Sequence, residues 1–120
     1  MNVVDAAFTT VFSRLSIHQQ TALKRAVCFL APFTPKAYGG AFDESSPGVL
    51  YELERDRILF CELNPHSRTQ HHHFLVHDIL RDFVLKTYVS PDEHKQTLDR
   101  IMTWYTDEVE RADHMWDNNQ

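Results

Sequence analysis

The sequence predicts a mainly α-helical domain that carries one β-hairpin and ends in a long helix. Three observations predict this. Apolar residues recur at helical spacing in separate stretches, most of them opened by a capping residue. The period changes once, near the middle, to two β-favouring runs around turn chemistry. Helical spacing then returns and holds almost to the end. A length of 120 residues suits one core, and 42% hydrophobic residues can fill it.

Phe8, Val11, Phe12 and Leu15 follow Asp5 at i, i+3, i+4, i+7 and predict a first helix over 5–15. Ser16 is a capping residue, and Gln19 completes a capping box. Leu23, Ala26, Val27 and Leu30 carry the second helix to Ala31, where Pro32 ends it. Thr34-Pro35 opens a short third helix that Gly39-Gly40 terminates. Ser46-Pro47 repeats that opening, and Val49, Leu50 and Leu53 give a fourth helix to about Asp56. Residues 57–63, the turn residues Asn64, Pro65, His66 and Ser67, and a second run over 70–76 predict the hairpin. Ile79, Leu80, Phe83 and Val84 start the next helix. Ser90-Pro91 with Glu93 caps the last one, which Leu98, Ile101, Met102 and Tyr105 carry to about Trp116. This order is that of an extended winged helix-turn-helix over residues 1–89, with 90–120 as a C-terminal helical extension.

Composition excludes several functions. Twelve Lys+Arg against seventeen Asp+Glu give a net charge of −5, which opposes a general nucleic-acid or anionic-membrane surface. No apolar run approaches the ~18 residues of a spanning helix, and no basic flank precedes an apolar N-terminal stretch. Cys28 and Cys61, without a C-x-x-C pattern, fit small hydrophobes in a reducing compartment, so the expected setting is cytoplasmic. With three glycines in all, the chain carries no G-x-x-x-x-G-K phosphate loop. No G-x-S-x-G elbow occurs, and Glu52, Glu54 and Asp56 read as a solvated face rather than an acid/base pair. The chain is not expected to be an enzyme.

Three clusters remain. In a strand, His71 and His73 share one face about 6.6 Å apart, and His66 or His77 could complete a metal site. The cluster lacks zinc-finger spacing and H-E-x-x-H, so metal is expected to bind weakly and not to be needed for the fold. The helix over 46–57 would be the recognition helix of a DNA reader, but its basic residues, Arg55 and Arg57, lie at the far end. The wing tip adds only His66 and Arg68, so DNA binding is not expected. The third cluster is His77-Asp78 at the junction of a strand and an amphipathic helix. Free N–H groups there suit an anion such as a nucleotide phosphate, Asp78 suits the cap, and Arg81 lies in reach at i+3. A capped helix with a structural histidine is the plainer reading of the same residues.

At Val76-His77-Asp78-Ile79-Leu80-Arg81-Asp82 the sequence resembles the signalling winged-helix domain of STAND ATPases, the NB-ARC family of plant resistance proteins and bacterial regulators. That family's motif is Met-His-Asp before a Leu-rich helix. Residues Val11–Leu15 with Ala22–Phe29 resemble the family's opening, and Phe33-Thr34 the start of its third helix. Leu50–Leu53 with Arg57–Leu59 resembles its next helix and strand, and Leu98–Tyr105 with Ala112-Asp113 its following segment in actinobacterial antibiotic-regulator-type members. Val76 stands where the family has Met. The resemblance implies that His77 senses the β-phosphate of bound ADP and holds a closed, inactive state, with Asp78 orienting its helix and Arg81 beside them. It also implies that ADP or ATP is met only through an NB-ARC-type ATPase module in cis or in trans, since this chain has no phosphate loop or Mg-binding acidic strand. The expected function is therefore a non-enzymatic regulatory module relaying the nucleotide state to an effector. The alternatives are a small DNA-binding winged-helix regulator and a histidine-rich metal-binding domain. Finally, Leu98, Ile101, Met102, Tyr105, Val109 and Ala112 form a stripe wider than a solvated helix needs. Trp104, Tyr105 and Trp116 are the expected interaction surface, for a further helical element or a second copy.

Overall fold

The computed structural model describes residues 2–45, 47–63 and 72–118, and among these it is mainly helical with one small antiparallel sheet. Asn2, rather than Asp5, opens α1 (Val3–Arg14): its side-chain oxygen accepts the Asp5 N–H at 2.7 Å. Asp5 instead lies in the first turn, where its charge suits the helix dipole. The capping box forms as predicted at α2 (Ile17–Ala26), with Ser16 Oγ accepting from Gln19 N and Gln19 Oε1 accepting from Ser16 N.

α2 stops five residues short of the predicted Ala31. The N–H groups of Cys28 and Phe29 turn to the carbonyls of Arg25 and Ala26, tightening the last turn. That turn drives Phe29 inward, where it stacks on Phe33 with centroids 4.1 Å apart, and leaves Leu30 73% exposed. Core packing of one aromatic ring ends the helix before the proline can.

Thr34 caps α3 (Pro35–Phe42), but the glycine pair does not terminate it. Gly39 and Gly40 lie inside the helix, and Asp43 closes it in the left-handed conformation at φ 55°. Gly40 is required by its neighbour: a Cβ there would overlap the indole of Trp104. At α4 (Gly48–Arg55) Pro47 occupies the N-cap without a side-chain bond, and Ser46 lies outside the described residues. Arg57 then takes φ 62°, donating to the Glu54 carbonyl while Ile58 donates to that of Leu53. This is a Schellman closure with arginine where glycine is usual.

β1 (Leu59–Leu63) and β2 (His72–Val76) pair antiparallel, with Leu59 opposite Val76 and Leu63 opposite His72. The predicted turn and the first residues of the second run, including His66, Arg68 and His71, lie outside the described residues. Phe74 is fully buried and also bridges to Phe33, so the α2–α3 link adds one backbone rung to the hairpin. α5 (Asp78–Tyr88) packs on α1, where Tyr88 stacks on Phe12 at 3.7 Å and Phe83 meets Phe8 at 5.5 Å. Val84 is fully buried, whereas Ile79, the first of the apolar series that marks this helix, is 57% exposed.

α6 (Pro91–Asn118) starts with Ser90 Oγ accepting from Glu93 N, and it packs chiefly on α3. Ile101 belongs to the same core as Leu23, Tyr38, Leu50 and Phe74, so the first half of this helix shares the body of the fold. No described helix is long and apolar enough to cross a membrane.

Candidate functional site

Three of the residues singled out by sequence, His77, Asp78 and Arg81, lie where β2 runs into α5. His77, not Asp78, is the N-cap. Its Nδ1 accepts the Ile79 N–H at 3.3 Å, and its carbonyl accepts the Arg81 N–H at 2.9 Å. The correction follows from chain geometry: Val76 ends an extended strand, so the first non-helical residue able to reach back is His77 itself. Asp78 is the first helical residue, where its carboxylate offsets part of the positive helix end. A neutral imidazole that accepts at Nδ1 carries its proton on Nε2. The exposed ring therefore offers one outward-facing chemistry, a donor N–H.

Arg81 does not form the expected ion pair with Asp78. Its Nε donates at 3.0 Å to the Val27 carbonyl, a half-buried bond across 54 positions of sequence. Val27 is the C-cap of α2, so a cation closes the negative end of that helix and ties it to α5. Asp78 and Arg81 together line a hollow of about 150 Å³ whose walls are Phe29, Pro32, Phe33 and Val76. Sequence spacing could not find those walls, because the early end of α2 creates them. The hollow thus joins a carboxylate, a guanidinium and two aromatic side chains next to the capping histidine, which does not itself line it.

Behind Arg81, Cys28 is fully buried and its Sγ contacts the Lys24 carbonyl at 3.4 Å. Burial pushes its thiol up to about 11, against the smaller opposite pull of Arg81. Burial also raises the half-buried Cys61 thiol, with the Glu54 carboxylate adding to it. Both cysteines therefore pack as neutral groups.

The other sequence candidates disperse. His73 stands on the outer face of β2 opposite Glu62, while His72 ends the inner face with its ring 6.1 Å from that of Tyr51. His66 and His71 lie outside the described residues, and among those described no three His, Cys, Asp or Glu residues are grouped to hold a metal. On α4, Glu52 accepts from Gln19 Nε2 at 3.3 Å, linking it to α2. Trp104 is half-buried against α3 rather than left free, and its ring meets that of the 38%-exposed Tyr105 edge-on at 4.9 Å. The Trp116 side chain lies outside the described residues. Comparison with protein-family models, curated proteins and solved structures finds no match to this chain.

Proposed function

We propose that this chain is a regulatory, non-enzymatic winged-helix module of a STAND-type signalling ATPase, with His77 as its nucleotide sensor. One observation carries the reading. His77 caps α5 through Nδ1 and so holds Nε2–H as a fixed, exposed donor at a helix N-terminus, beside a hollow lined by Arg81. A donor held in that way suits a phosphate oxygen presented by an ATPase module in cis or in trans. The element order supports the same reading, with four helices, a hairpin and a helix joined directly to the second strand.

The isolated chain should bind ADP negligibly. Asp78 weakens the field at the start of α5, and the sequence has no phosphate loop to share the charge. In a complex or fusion with an ATPase module, the Nε2 contact would favour the ADP-bound resting state. Losing a hydrogen bond to a charged group costs about 1.5–3 kcal/mol. That loss shifts the resting balance toward the active form by roughly 10- to 150-fold.

The test compares His77→Ala with His77→Asn in that assembly. Asparagine retains a capping oxygen but lacks the reach of the imidazole donor. Both variants should lose ADP and signal without a trigger, while His77→Asn keeps the thermal stability of the parent. If ADP retention and basal signalling are unchanged in both, His77 is a helix cap and nothing more.

A further inference from the structure

α6 carries a second apolar seam that the fold leaves open. Its inner face is covered: Ile101 is 4% exposed and Trp104 lies against Gly40 of α3. Next to that face, Met102, Tyr105, Val109 and Ala112 repeat at intervals of three, four and three, the spacing of a helix–helix seam. Met102 is 54% exposed and Val109 60%. At the foot of the seam, Leu30, Ala31, Leu98, Met102 and Tyr105 border an apolar hollow of about 170 Å³, room for one large aliphatic side chain.

The carboxylates beside this seam separate into two groups, and exposed Lys95, one heptad before Met102, stands at its N-terminal end. Carboxylates of α6 that face the body of the fold are neutralised, Glu93 by Lys24 at 2.9 Å and Glu108 by Arg111 at 2.9 Å and Lys36 at 3.8 Å. Asp99, Glu110 and Asp113 follow the outer border of the seam, are exposed, and have no ion pair among the described residues. We propose that this seam docks an amphipathic helix of another protein whose apolar stripe is bordered by Lys or Arg. A second copy of the chain fits poorly. Antiparallel self-pairing would set Asp99 against Asp113 of the other copy, and parallel pairing would set Asp113 beside a Glu108 whose cations, Arg111 and Lys36, are already engaged; neither supplies the positive border that the exposed carboxylates call for. The inference stands apart from the role of His77, which lies on another element.

The test uses the full chain and two synthetic helical peptides, both with Leu at three-four spacing, one bordered by Lys and one by Glu. Fluorescence anisotropy should give affinity for the Lys-bordered peptide about tenfold or more above that for the Glu-bordered one, narrowing as salt rises from roughly 50 to 300 mM. Val109→Glu separates docking from bulk attraction. It adds negative charge at an exposed site, so non-specific attraction of the Lys peptide would strengthen, whereas seam docking should weaken by about tenfold. Circular dichroism of the variant checks that the fold is intact. Equal affinity for the two peptides, or tighter Lys-peptide binding by Val109→Glu, would overturn the proposal. So would sedimentation showing a dimer that Val109→Glu dissociates, since a second copy would then own the seam.

Discussion

At His77 the nitrogen that caps α5 and the nitrogen left to donate are different atoms, so substitutions can separate the two roles. Removing the cap acceptor with alanine should cost about 1 kcal/mol of unfolding free energy, the usual worth of an N-cap. His77→Asn should restore most of that in denaturant titration, since asparagine is among the best caps. Cys28 gives a second expectation at this scale, with a definite sign. Its folded thiol titrates at about 11 against 9.0 in an exposed chain, because burial disfavours the thiolate. The folded state keeps a proton that the unfolded chain releases. The stability this confers is complete below pH 9 and is withdrawn as pH rises toward 11. At roughly 1.4 kcal/mol per pH unit the withdrawal is on the order of 3 kcal/mol. Denaturant titrations between pH 8 and 11 should show it, and Cys28→Ala should flatten the alkaline slope even though its cavity lowers stability at pH 8.

Between elements, α3 meets α6 closely at Gly40, and this contact reverses an ordinary rule. Glycine to alanine inside a helix normally stabilises by about 0.5–1 kcal/mol. Here the added methyl meets the Trp104 indole, so Gly40→Ala should destabilise by about 1–3 kcal/mol, as overpacking does. Tryptophan emission should shift red as the indole leaves its seat, and a variant that stabilises without that shift would refute the close contact. Around this contact, Arg25 and Arg100 lie 4.7 and 5.2 Å from the centroid of the Phe42 ring, and Arg25 also bonds Glu44 at 3.0 Å and the Tyr38 hydroxyl at 3.3 Å. The Phe42 ring of α3 thus receives one guanidinium from α2 and one from α6, which ties the three helices together. α6 is held as part of the fold over its first half, and its open seam runs beside the attached face from Met102 onward.

For the whole molecule, charge sets the expectation toward nucleic acid. With −5 overall, and with α4 and the residues that close it carrying Glu52, Glu54 and Asp56 against Arg55 and Arg57, duplex DNA should bind no tighter than the ~10⁻⁴–10⁻⁶ M of non-specific contact. A titration at physiological salt that finds submicromolar preference for one sequence would contradict this. The legibility of the molecule divides by the range of the forces involved. Ser16 with Gln19, Thr34 before Pro35 and Ser90 before Glu93 formed caps as read, because a cap is decided within four residues. The two β-favouring runs and the helical spacing of α1, α5 and α6 were equally plain in sequence, since each follows from local residue preference or period. The capping role moved from Asp78 to His77 because the strand end, a property of pairing with β1, sets the first residue that can cap.

What the chain could not announce alone depended on partners distant in sequence. Phe29 meeting Phe33 and the Phe33–Phe74 rung ended α2 early, against a residue pattern that continued to Pro32. Trp104 seated on Gly40 turned a helix-stopping pair into a helix–helix contact. Arg81 reached the Val27 carbonyl instead of the neighbouring Asp78, because a helix end in a half-buried setting needs a cation more than an already solvated carboxylate does. Sequence by itself therefore determined the order and kind of the elements and the position of the His-Asp junction. Tertiary structure decided where helices stop, which ring nitrogen of His77 is left to donate, and which face of α6 stays open. Local hydrogen bonds and periods are written in neighbouring residues, whereas burial is a property of surfaces that meet only once the chain has folded.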